Sequence, residues 1–356
     1  MTTLTDFSRR RLLKMLSGAP MLPLAGTSLL ATGCGGSDSA AATPPSLSGV
    51  RFSSMPAPTL SAPAAMATTS VGSVMTATFS DNSKVDFKLA YQPFFVTGDL
   101  VSNGNGGTIL SGGYFDINNK PIIDTSVAGK ERQFFSDSPD GTSLLTVPNA
   151  NVAGVKGNTV FAVVQFEYTT WAQDGVTGMY GKLPSPIAVL TLDQDPSTGK
   201  LSLVKYHNVD TSSVNGLWIT CGASLSPWGT HLSSEEYEPN AFTAATDAQF
   251  KAFSKNLYGS ETAANPYNYG HMPEVTVNPD GTASIKKHYN LGRISHELVQ
   301  VMPDNRTVLM GDDYTNGGLF MFIAAGSGSR SRSGRRPKTP MRLLAVRRLL
   351  PARSRS

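Results

Sequence analysis

Residues 221–238 read CGASLSPWGTHLSSEEYE. Cys221, the only cysteine beyond residue 34, opens the stretch, and two adjacent carboxylates, Glu235 and Glu236, close it. A thiolate near hard oxygen ligands suits a transition metal such as iron, and a purely carboxylate set suits calcium. Taken singly, each residue has a plainer explanation: free cysteine is among the most buried residue types, and most carboxylates face water. Working outward, more acidic residues follow in short segments punctuated by Gly and Pro. Glu274 stands in HMPEVTVNPDG, His296 and Glu297 in LGRISHE, and Asp312 and Asp313 in VLMGDD. As a series they favour a metal site over unrelated surface acids.

The segments that carry these residues are strands. VDFKLAYQPFF, TILSGGYFDI, TVFAVVQFEY, IAVLTLDQD, LSLVKYH, VTVNP, TVLMGDD and LFMFI are short apolar or alternating runs separated by turn residues. That pattern predicts an antiparallel all-β protein. One stretch departs from it: DAQFKAFSKNLY (247–258) places Phe250, Phe253 and Leu257 on one helical face.

Two wordings recur. IAVLTLDQDPSTGKLSLVKYHNVD (187–210) and PEVTVNPDGTASIKKHYNLG (273–292) both run strand, turn, strand. GNTVFAVVQFE (157–167) and DNRTVLMGDD (304–313) are both strands ending in acidic residues. Repetition of this kind predicts a β-propeller rather than a sandwich. The hairpins start 86 residues apart, a spacing that corresponds to two blades at ~40–45 residues each. A core of this length holds an incomplete set of blades and leaves a sheet edge unpaired.

The order CGASLSPWGTHLSSEE, acidic strand ending in NPDG, LGRISHE and GDD strand resembles the PhoX-type alkaline phosphatases of bacteria over roughly residues 80–324. The Cys-Gly…Pro-Trp-Gly-Thr…Glu-Glu segment is its specific part. The resemblance implies a propeller with an iron–calcium cluster (Fe3+ and Ca2+) that hydrolyses phosphomonoesters. It places iron on Cys221, with Glu274 and Glu297 as shared ligands and Glu236 close by, and offers Asp312 and Asp313 to calcium. Arg293 is the candidate to pair a phosphate oxygen, and His296 reads as a hydrogen-bonded inner-strand residue. His271 and Met272 depart from the aromatic-rich strand usual in the family.

The ends of the chain read differently. SRRRLLK (8–14) precedes a short, interrupted apolar run, which predicts a twin-arginine export signal built on Arg9 and Arg10 rather than a membrane span. The translocase is then a transient partner and the destination is the periplasm or cell envelope. ATGCGGSD (31–38) resembles a lipoprotein processing site with Cys34 as a candidate lipid anchor, although Ala31 stands where Leu is usual. Export signal and processing site occupy 1–34, a Ser/Ala/Pro-rich disordered tether 35–70, and the propeller 71–325. Residues 326–356 hold ten basic and no acidic residues and show no strand pattern; we read them as a disordered tail left by a lost coding frame or a truncation.

Charge follows the same division. The chain is +4 overall, yet residues 35–325 carry 16 basic against 25 acidic residues. An acidic body suits cations and argues against nucleic acid as a partner. There is no G-x-S-x-G, H-E-x-x-H or G-x-x-x-x-G-K-[ST] pattern, and the five histidines include no pair at ligand spacing. Carboxylates and one thiolate must therefore do any metal binding. The alternatives are an inactive fragment of such a phosphatase, a non-catalytic, calcium-stabilised envelope propeller, and another metal-dependent propeller hydrolase of lactonase or phytase type.

Overall fold

The computed structural model describes residues 45–67, 70–324 and 343–344. Arg9, Arg10, Cys34 and nearly all of the basic segment lie outside the described residues. Backbone contacts divide the chain into two units: residues up to Phe94 with Pro196–Lys200, and Phe95–Asp195 with Leu201 onward.

The first unit is a three-stranded antiparallel sheet of β1 (Leu47–Phe52), β2 (Ser70–Phe79) and β3 (Lys84–Ala90), in that order. In β3 the alternation of KVDFKLA turns Val85 and Phe87 to one face, where they pack with Leu47 and Met75 around buried Ala77 and Phe79. Two boundaries read from composition are corrected here. Residues 47–52, assigned to a disordered tether, form a strand because Leu47 finds an apolar face in β2 and β3. Residues 71–94 belong to this first unit and not to the unit that holds the blades.

The second unit begins with two small hairpins, β4 (Leu100–Ser102) with β5 (Thr108–Leu110) and β6 (Ile123–Asp124) with β7 (Arg132–Gln133). The glycine-rich segment SNGNGGT (102–108) forms the turn of the first hairpin. Three four-stranded antiparallel sheets follow. The first contains β8 (Pro139–Leu145), β9 (Asn158–Phe166), β10 (Ile187–Gln194) and β11 (Leu201–Asn208). The second contains β12 (Ser224–Leu225), β13 (His231–Leu232), β14 (Met272–Val277) and β15 (Ala283–His288). The third contains β16 (His296–Val301), β17 (Thr307–Asp312), β18 (Leu319–Ile323) and β19 (Leu343–Leu344). Each is a meander in sequence order, the blade of an incomplete β-propeller.

Apolar layers hold the blades face to face. Period-two alternation places Phe161 and Val163 of β9 and Ile187 and Val189 of β10 in one layer with Val275 and Val277 of β14. Leu232 and Met272 meet Val299, Val301, Val308, Met310 and Phe322 in the next. Each such side chain contributes about 1.5–3 kcal/mol relative to exposure. The first strands lie side by side, β12 between β8 and β16, so the inner ends of the three blades meet.

The recurrent wordings occupy equivalent ladder positions. Both repeated hairpins are the outer strand pairs of their blades, β10–β11 and β14–β15, and the acidic-ended strands β9 and β17 are both second strands. The 86-residue spacing is therefore one blade, not two. The second blade is lengthened by the segment between β13 and β14, which carries α1 (Ala248–Tyr258). Asp247 caps α1 by accepting from Phe250 N at 2.7 Å, and Gly259, at φ 76°, closes it. Phe250, Phe253 and Leu257 pack against Trp218 and Tyr269. Within the basic segment, expected to be without strands, Leu343–Leu344 pair with Met321 and Phe322 and cover the edge of β18. Among the described residues no helix is long and apolar enough to cross a membrane.

Candidate metal centre

Cys221 lies just before β12 and Glu236 just after β13, on two segments bridged antiparallel between Thr220 and Glu235. Their backbones bond directly, Cys221 N to Ser234 O at 3.2 Å and Glu236 N to Ile219 O at 2.9 Å. The neighbouring glutamates diverge because successive residues of extended chain face opposite sides. Glu235 turns inward, where it is fully buried and accepts from Trp218 N at 2.9 Å, His271 N at 3.0 Å and Lys287 Nζ at 2.9 Å. Glu236 turns the other way, towards Cys221.

Ile219 and Tyr237 bracket this pair with φ of 33° and 47°. For a β-branched residue such as Ile219 that conformation is strained, and it persists only where surrounding structure imposes it. Two glycines allow the strands to close. A Cβ on Gly141 would meet Cys221 O and Ala223 N at 2.7 Å, and one on Gly222 would collide with Glu297 O.

The result is a cluster assembled from all three blades. Cys221 Sγ, a Glu236 carboxylate oxygen and a Glu297 carboxylate oxygen lie within 4.8 Å of one another. Asp140 of β8, Glu167 at the end of β9 and Cys221 form a second group of the same compactness, so the thiol belongs to both. Burial comes first among the causes that raise the Cys221 thiol, followed by the charges of Glu236, Asp140 and Glu297. Burial also pushes Glu236 up to about 8, with Asp313 and Glu297 adding to it and the Cys221 contact working the other way. Glu167 is raised to about 7 by burial, then by Asp140 and Glu297. Such a set holds protons until a cation balances it, so its donor chemistry fits a metal with both soft and hard preferences.

Other sequence candidates are placed elsewhere. Glu274 is buried and fully engaged: it accepts from Trp228 Nε1 at 2.7 Å, Thr230 Oγ1 at 2.5 Å and His288 Nε2 at 2.7 Å, and pairs with Lys286 Nζ at 2.8 Å. Burial alone would raise its pKa, but those hydrogen bonds together hold it well below the usual carboxylate range. Arg293 is directed at main-chain carbonyls, Tyr269 O at 2.8 Å, Pro266 O at 3.2 Å and Pro239 O, and stacks over Tyr267. Asp312 organises its own turn, accepting from Ser295 N at 3.2 Å and Gly318 N at 3.3 Å. Asp313 borders the cluster, accepting from Tyr237 Oη at 2.7 Å beside Glu236. His296, fully buried, begins β16 opposite Asp312.

Asp140 and Glu167 were not among the residues singled out from the sequence. A signal for Glu167 was present: it ends the strand TVFAVVQFE, whose counterpart ends in Asp312 and Asp313. Asp140 lies in SDSPDGT, which reads as an ordinary turn.

Three meander blades with a thiol and four carboxylates gathered at their inner ends define an incomplete propeller with a cluster of potential metal ligands. The chain belongs to the PhoX alkaline phosphatase family: the family described as "Alkaline phosphatase PhoX" matches residues 157–346, more than half of the 356 residues. That range begins later than the resemblance read from the sequence and extends into the basic segment. Among solved structures, the chain is similar to Pseudomonas fluorescens PhoX in complex with vanadate, a transition state analogue, at 18% identity and a TM-score of 0.40. The similarity covers 66% of this chain and 47% of that one, so this chain spans about half its length. Comparison with curated proteins finds no match.

Proposed function

We propose that this protein is a metal-dependent phosphomonoester hydrolase, with Cys221, Glu236, Glu297, Asp140 and Glu167 holding iron and calcium. The observation that carries the proposal is the convergence of one thiol and four carboxylates from three blades within two compact groups sharing Cys221. Asp313, held beside Glu236 by the Tyr237 hydroxyl, is the candidate additional calcium ligand from the GDD strand.

When bound, the metals supply positive charge that offsets the carboxylates, polarises phosphoryl oxygens and acidifies water. The chain's own residues prepare that site. Buried Glu236 and half-buried Cys221 exclude water from one side and must lose their protons on loading. Glu167, half-buried and raised to about 7 without metal, must likewise give up the proton on its carboxylate when it serves as a ligand. Family membership supports the phosphomonoester as the ester. The Arg9–Arg10 signal supports export to the periplasm or envelope, and Cys34 a lipid anchor.

The test is to load the purified protein with iron and calcium, measure both metals per chain, and assay a chromogenic phosphomonoester at alkaline pH. Turnover that tracks iron and calcium together supports the proposal. Calcium bound without iron and without turnover would replace it with the non-catalytic, calcium-stabilised propeller. Export is tested separately with Arg9→Lys plus Arg10→Lys, which should retain the protein in the cytoplasm; unchanged export sinks that part.

A further inference from the structure

A polar chain crosses the otherwise apolar layer between the first two blades. His231 of β13 is fully buried, with Nδ1 2.9 Å from Ser143 Oγ and Nε2 3.1 Å from Gln165 Oε1. Gln165 of β9, also fully buried, donates through Nε2 to Cys221 O and to Gly222 O, the latter at 3.2 Å. Those carbonyls receive other donors as well: Gly141 N reaches Cys221 O at 3.2 Å, and Ser234 Oγ reaches Gly222 O at 2.6 Å.

The direction of every bond in the chain follows from chemistry. Main-chain carbonyls only accept, so Gln165 must present its amide NH2 to Cys221 and Gly222. Its oxygen then faces His231, whose Nε2 must donate. A neutral imidazole with its proton on Nε2 accepts at Nδ1, so the Ser143 hydroxyl donates there. Burial depresses the His231 pKa to about 3, which keeps the ring neutral throughout the ordinary pH range. Burying such groups is costly unless each is satisfied, and a satisfied network restricts the core to one arrangement.

We propose that Ser143, His231 and Gln165 form a one-directional hydrogen-bond relay that positions the Cys221–Gly222 peptide and thereby aims the Cys221 thiol at the carboxylate cluster. None of the three touches a metal or substrate; they act through Cys221, as outer residues orient metal ligands in other sites. The proposal rests on the metal-holding reading of the cluster but not on the identity of the reaction.

The probe is Cd2+ alone, titrated into the metal-free full chain and followed by the thiolate-to-cadmium ultraviolet band, with Cys221→Ser as the blank. Gln165→Met conserves volume and removes all three side-chain hydrogen bonds of Gln165, the two to the Cys221 and Gly222 carbonyls and the one from His231; it should weaken Cd2+ binding by about 10–100-fold. Ser143→Ala, at the far end of the relay, should weaken it in the same direction, whereas Ser143→Thr keeps the hydroxyl and should retain affinity. All titrations are run below the lowest thermal midpoint, because a merely structural role would lower the midpoint and leave Cd2+ affinity unchanged. Wild-type affinity in folded Gln165→Met, or equal affinities for Ser143→Ala and Ser143→Thr, would overturn the relay. Should Gln165→Met fail to fold, the Ser143 pair decides. A wild-type chain with no Cys221-dependent band overturns it too. Relay-dependent Cd2+ binding in a protein without phosphatase turnover would sink the phosphatase reading and leave the relay standing.

Discussion

Cys221 Sγ stands 3.4 Å from Glu297 Oε2, although 76 positions separate the two residues and they belong to different blades. The contact forms because β12 runs beside β16 and Gly222 lets the Glu297 carbonyl approach the main chain. A thiol in contact with a carboxylate and half removed from water remains protonated until a cation arrives. This pairing links the fold to the chemistry proposed for it.

Replacement of that thiol is the first expectation. Cys221→Ser exchanges a soft ligand for a poorly ionised hydroxyl, so bound iron should fall steeply while calcium largely persists. Phosphomonoesterase turnover should fall with the iron. Metal analysis of the loaded variant beside wild type provides the check, and untouched iron content would return Cys221 to the status of a packing residue.

Glu274 should behave as a structural hub. Glu274→Gln weakens bonds to Lys286 and His288 inside the second blade, at a cost of about 1–3 kcal/mol. The thermal midpoint should drop while iron and calcium per chain stay at wild-type levels. Loss of metal without loss of stability would reinstate Glu274 as a ligand.

Arg293 should also register in stability rather than in substrate affinity. Its guanidinium spans three carbonyls around the α1 segment, a geometry the Lys ammonium reproduces poorly. Arg293→Lys should cost about 1.5–3 kcal/mol and leave the KM for a phosphomonoester unchanged. A raised KM at unaltered stability would show that the side chain pairs phosphate.

The metal-free protein should lose stability as pH rises. Unfolded glutamates release their protons in the usual carboxylate range, whereas folded Glu167 and Glu236 keep theirs to about 7 and about 8. The folded state therefore binds more protons between those limits, and the stabilisation present at low pH is lost as pH climbs through about 8. Thermal midpoints from about pH 5 to about pH 8 should fall without metal, and calcium should flatten the slope. A metal-free midpoint that rises across that window would contradict the like-charge cluster.

Local pattern was sufficient for much of this protein. The nearly continuous apolar runs in TVFAVVQFE and IAVLTLDQD specified strands, and because pleated chain sends successive side chains to opposite sides, both faces of β9 and β10 are buried. DAQFKAFSKNLY specified a helix through its three apolar positions, and the structure adds the Asp247 cap. Cys221 with Glu236 was legible because one antiparallel bridge brings them together within a short span. What the sequence by itself could not determine is which distant carboxylates join them. Glu274 and Glu297 look alike as acidic residues in short strands, yet one is enclosed by Trp228, Thr230, Lys286 and His288 while the other reaches the thiol. Asp140 and Glu167 enter only because β8 packs beside β12. The spacing of the repeats likewise could not distinguish one lengthened blade from two. A carboxylate's charge and hydration depend on the neighbours brought to it, and in a propeller those neighbours come from other blades, so only the tertiary structure decides its role.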